Sequence, residues 1–159
     1  MTTNDPAHSR QPGGAPPPDR DQELAQHIVV TTVRGPIDLG VVTEVNRARL
    51  RCFSDIGEGA VASITVVQES LHITPDALER LREILQVHFA HACRPVFAAC
   101  VAEPGLDGRN TAVPLIEAAY REVNVPWRCF NHLDEARVWI TSMLSASHQP
   151  TRVAAHQTD

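Results

Sequence analysis

The stretch that decides the fold runs from Arg94 to Phe130, RPVFAACVAEPGLDGRNTAVPLIEAAYREVNVPWRCF. RPVFAACVAE is a short apolar run with the length and composition of a buried strand. EPGLDGRN is a glycine-containing loop in which Asp107-Gly108 makes a tight turn. Val113, Ile116, Ala119, Tyr120 and Val123 then recur at helical spacing and form one apolar face. Pro114 lies inside that pattern and is tolerated in a first turn, where its missing N–H has no partner, so the spacing predicts a helix start near Thr111. VPWRCF is a second strand. Strand, helix and strand in immediate succession make the unit of a parallel sheet.

The pattern repeats outward in both directions. HIVVTTVRG (27–35) is β-branched and stops at Gly35-Pro36. In DLGVVTEVNRARLRCF, Val42, Val45, Arg49 and Cys52 fall on one stripe and Glu44, Arg47 and Arg51 on the other, with Asp38 as N-cap. VASITVVQ (61–68) lacks polar alternation, as a strand covered on both faces does. A long helix is predicted from Pro75 to about Ala92, with Leu78, Leu81, Leu85 and His88 inward. After VPWRCF, NHLDEARVWITSML predicts a last helix capped by Asn131, with Leu133, Ala136, Ile140, Met143 and Leu144 inward. Strict alternation joined by right-handed crossovers defines an α/β domain with a mostly parallel sheet of four to five strands and alternating helices, over residues 27–145. Residues 1–26 and 146–159 are rich in Pro, Gly and polar groups and are expected to be disordered tails.

The chain has 159 residues and 43% apolar content, enough for one core. Its net charge is −5, from 14 basic and 19 acidic residues, which argues against a nucleic-acid binder needing a clustered cationic face. All the basic residues are Arg. Cys52, Cys93, Cys100 and Cys129 form no CxxC pair and read as small buried hydrophobes. No leader and no run near the ~20 apolar residues of a membrane span is present, so a cytoplasmic location without membrane insertion is expected.

Two stretches, RPVFAACVAE with its glycine loop and helix, and VPWRCFNHLDEARVWI, resemble the SpoIIAA-like superfamily, the fold of bacterial STAS domains. The resemblance spans roughly residues 28–144. It implies a β-hairpin at the start, whose second strand would lie near residues 23–26. It also implies a non-enzymatic protein acting through contact with a protein partner in signalling. Regulatory members carry Asp-Ser-x-Gly, with a phosphorylated Ser at a helix start; the matching place here reads HITPDAL, without Asp-Ser and without Gly.

The candidate sites follow from that comparison and from the residues. Thr74-Pro75-Asp76 makes a good helix start, with Thr74 accepting an N–H and Asp76 at the positive end of the dipole; under the resemblance Thr74 is also the possible phosphosite. The loop 102–111 is a connecting loop by composition, with Arg109 the residue to contact an anionic group of a partner. Thr74, Asp76, Asp107 and Arg109 are therefore the expected partner-binding residues. His88 and His91 lie three apart on a helix, but two ligands do not make a zinc site, and neither metal nor other cofactor is expected. Trp127 and Trp139 read as core packing or as interface anchors. The expected role is a non-enzymatic regulator that binds and modulates a protein partner in a bacterial signalling pathway. Its rivals are a carrier of a small apolar ligand in a lipid-transfer-like α/β fold, which requires an apolar cavity between sheet and helices, and a metal protein or enzyme using His88 and His91.

Overall fold

A computed structural model of the chain describes residues 27–56, 60–89 and 95–147. Its strands are β1 Ile28–Arg34, β2 Val61–Gln68, β3 Pro95–Val101 and β4 Trp127–Phe130; its helices are α1 Leu39–Ile56, α2 Pro75–Phe89, α3 Arg109–Glu122 and α4 Leu133–Ser147. The strands form one all-parallel sheet in the order β1-β2-β3-β4. A sequential order means that each helix crosses to the adjacent strand, and crossovers of one hand keep α1, α2 and α3 on the same face. The expected partner strand of a β1 hairpin, the N-terminal tail and residues 148–159 lie outside the described residues. α4 continues to Ser147, two residues into the span expected as tail.

Alternation along the strands divides the core in two. On one face Val33, Val67, Ala98 and Cys100 pack with Leu85 of α2 and with Ala112, Ile116 and Tyr120 of α3, and Val41, Val42 and Val45 of α1 close over them. On the other face Ala62, Ile64, Ala99 and Val101 meet Ala136, Ile140 and Leu144, the apolar stripe of α4. β2 is buried on both faces, which is why its sequence shows no polar alternation.

The helix ends show where local chemistry acts. Asp38 caps α1 as expected, its Oδ1 accepting from Val41 N at 2.9 Å. α3 begins at Arg109, two residues earlier than Pro114 predicts, so the proline lies beyond the first turn. The carbonyl it leaves without a helical partner belongs to Asn110, an exposed residue open to water. The start is set by Gly108 in the left-handed conformation, φ 75°, which offers no side-chain cap. At the other end Asn124, φ 56°, closes a Schellman turn: Val125 N donates to Tyr120 O and Asn124 N to Arg121 O, both at 3.1 Å. Asn131 does not cap α4. That place is taken by His132, whose carbonyl accepts from Ala136 N at 3.3 Å while its N–H faces Glu135.

Both tryptophans serve the core. Trp127 stacks on Tyr120 with ring centroids 5.9 Å apart, and Trp139 packs against Phe130 at 5.6 Å. Cys100 is buried and Cys129 half-buried, but Cys52 is exposed, because Phe53 rather than Cys52 is the residue α1 buries at that level.

Candidate functional site

The loops at the carboxyl ends of the strands are tied into one surface, the usual position for a site in a parallel α/β sheet. Ile37 N donates to His72 O at 2.7 Å and Thr74 N to Ile37 O at 3.1 Å, joining the loop after β1 to the one after β2. Leu71 N donates to Asp107 O at 2.7 Å, joining the latter to the loop after β3. Ser70 Oγ donates to Asp107 Oδ2 at 2.9 Å and accepts from His72 N at 3.0 Å. The starts of α2 and α3, and with them Thr74, Asp76, Asp107 and Arg109, therefore share one edge.

Their individual roles differ from the expectation. Thr74 Oγ1 is buried and takes no backbone N–H; the Ala77 N–H is accepted at 3.0 Å by Asp76 Oδ1. The Thr74 hydroxyl beside Asp76 holds that carboxyl below the usual range, assisted by the Ala77 N–H. A phosphate on Thr74 would face the Asp76 carboxylate, and a kinase would need this loop opened first. Arg109 turns inward: Nε donates to Ala102 O at 3.1 Å and one Nη to Asn131 Oδ1 at 3.0 Å. Its guanidinium thus braces β3 against the loop after β4 instead of projecting toward a partner. Asp107 likewise spends its carbonyl and one carboxylate oxygen within the fold.

Arg109 also stands beside two thiols. Cys100 and Cys129 are register partners on β3 and β4 and face the same side of the sheet. The Cys100 thiol donates to Cys129, and the nearby Arg109 guanidinium adds its charge, so Cys129 is lowered to about 7 against the desolvation that opposes it. The same contact, with burial, pushes Cys100 up.

Beneath this edge, between the sheet and α1, α2 and α3, lies an apolar cavity of about 110 Å³. Val33 and Val67 line its sheet side, Val42 and Val45 its α1 side and Leu81 and Leu85 its α2 side, with Tyr120 and Trp127 at the far wall. Arg49 enters it from α1. One Nη donates to Thr65 Oγ1 on β2, while Nε is buried and has no hydrogen-bond partner. Neither a carboxylate nor an imidazole lines the cavity among the described residues. Ser63, on the same face of β2 by alternation, is 1% exposed, and its hydroxyl also lacks a partner.

The sequence signal for Arg49 was a charge on an otherwise apolar helical stripe. Nothing local marked Cys100 and Cys129 as neighbours, because register across strands is a tertiary property. His91 and Cys93 lie outside the described residues, and the side chain of His88 is not among those described. The described residues contain no group of three His, Cys, Asp or Glu side chains placed to hold a metal, and no helix among them is long and apolar enough to cross a membrane.

Fold and site together define a four-stranded parallel α/β domain with an apolar cavity under its crossover helices and one arginine inside it. A scan against family models, a search of curated proteins and a search of solved structures each find no match to this chain.

Proposed function

We propose that this protein is a binding module for a small, mostly apolar molecule, held in the cavity between the sheet and α1, α2 and α3. The observation that carries this reading is the apolar pocket of about 110 Å³ between the sheet and the three helices. The pocket is partly open to solvent, so its apolar lining is wetted, and a hydrocarbon that displaces that water removes apolar surface from it, which favours binding. An engineered cavity of roughly 150 Å³ is enough to take up benzene.

Uptake of neutral apolar probes tests this reading. Xenon and benzene, added to the full chain and followed by methyl NMR, should shift resonances of Val42, Val45, Leu81 and Leu85. Unmoved methyl resonances at saturating xenon would remove the proposal.

The resemblance to SpoIIAA-like domains supports a regulatory setting in which the protein acts on a protein partner. The edge joining Ser70, His72 and Asp107 overlies the cavity through Leu71 and Ile73, which contribute to its lining. A ligand beneath those residues would press on the loops a partner would touch. Co-purification with and without an apolar probe checks this second step, with partner capture expected to change on loading.

A further inference from the structure

The cavity contains a charge that nothing in the described structure neutralises. Arg47, Arg80, Arg82 and Arg121 pair with glutamates near the surface, where solvent already carries most of the electrostatic load. Arg49 has no ion pair among the described residues. Its single hydrogen bond goes to a hydroxyl, Thr65 Oγ1, and its Nε is buried without an acceptor. Arg49 is half-buried, and taking even part of a guanidinium out of water is costly unless it is both paired and hydrogen-bonded. An arginine cannot escape by losing its proton, as a buried lysine can.

Resting on the reading of the cavity as a ligand site, we infer that its ligand is a short aliphatic monocarboxylate whose head group is bound by Arg49. The planar guanidinium presents its N–H groups as a fork that matches the two oxygens of a carboxylate, and Thr65 holds one arm of the fork in place. A single cation suits a single negative charge. A phosphate dianion would call for further donors or a second cation, and no other basic residue lines the space among the described residues. Apart from Asn46 and Thr65, the remainder of the described lining is aliphatic, aromatic or thiol, so the body of the ligand is largely hydrocarbon. By comparison with the roughly 150 Å³ that admits benzene, about 110 Å³ holds about four to six non-hydrogen atoms. Butanoate and 2-methylpropanoate have this size.

The test compares 2-methylpropanoate with 2-nitropropane, a neutral molecule of nearly the same shape, on the full chain by NMR titration, with benzene as a probe of the cavity alone. The carboxylate is expected to bind at least tenfold more tightly than 2-nitropropane, and Arg49→Met, which keeps an apolar stem of similar length, should abolish that preference while leaving benzene binding in place. Equal binding of acid and nitro compound by the unaltered chain would overturn the inference while leaving the cavity as an apolar site. Binding of none of the three would overturn the cavity reading as well. A preference for the acid that survives Arg49→Met would remove Arg49 as the recognising residue. If Arg49→Met did not fold, the comparison on the unaltered chain would still decide the matter of charge.

Discussion

Gly35 and Ser70 touch through their backbones: a Cβ added to Gly35 would stand 1.6 Å from the Ser70 carbonyl oxygen. The contact lets the chain leaving β1 pass under the loop after β2, where Gly35 N donates to Gln68 O at 2.9 Å. Gly108 makes a similar approach, with an added Cβ 2.5 Å from His72 N, and also has φ +75°. In both places the obstacle is backbone, which cannot rotate away as a side chain can.

Gly35→Ala and Gly108→Ala should therefore both lower stability by more than the roughly 1 kcal/mol that a left-handed residue alone costs. Gly35→Ala is expected to be the worse of the two because its clash is closer. Urea unfolding of the two variants checks the order, and a Gly35→Ala protein as stable as the parent would show that the loops do not need this approach.

Arg49→Met should be neutral or stabilising, by up to about 1–2 kcal/mol, for the unliganded protein. Arg49 is half-buried and has no carboxylate partner among the described residues, so replacing it by an apolar side chain of similar volume removes a partial desolvation penalty. Denaturant midpoints without ligand measure it, and a loss of 2 kcal/mol or more would mean that the guanidinium supports the fold through Thr65 rather than waiting for a ligand.

Cys129 should alkylate with a pH midpoint near 7, well below an ordinary thiol. Cys100→Ala removes the thiol donor and Arg109→Gln the positive charge, so each should raise the midpoint. Cys100 itself, whose thiol is pushed up, should stay unreactive across the same range in the folded chain. Peptide-resolved mass spectrometry after iodoacetamide pulses separates these sites from exposed Cys52. A Cys129 midpoint unchanged in both variants would contradict the arrangement around it.

Ile140 is 0% exposed at the centre of the α4 stripe, against Ile64 and Val101. Ile140→Ala should cost about 2–5 kcal/mol, the transfer of the deleted methylenes plus the void left behind. Val138→Ala on the same helix, 72% exposed, should cost little. Thermal unfolding of the pair tests whether α4 is an integral layer, and equal, small losses would make it an appendage.

Much of this molecule follows from sequence pattern alone. The alternation of short apolar runs with helical stripes is a local property, set by a period of 2 or 3.6 residues, and it located all four strands and all four helices of the described chain. Asp38 announced the start of α1 because a cap acts within one turn. Where a boundary depended on a distant contact, local reading missed it. Pro114 pointed to a helix start near Thr111, but Gly108, seated against the His72 backbone, begins α3 at Arg109. Asn131 has the composition of a cap, yet Arg109, far off in sequence, takes its side chain and His132 caps instead.

The same division holds for the site. The sequence by itself determined that Arg49 shares a helical stripe with Val42 and Val45, since spacing along one helix is enough. Only the tertiary structure decided that this stripe faces a cavity rather than a filled core, because the void depends on how side chains from three helices and four strands meet. It also decided that Cys100 lies beside Cys129 and that Arg109 points inward, since register and loop contact bring together residues that no local pattern connects.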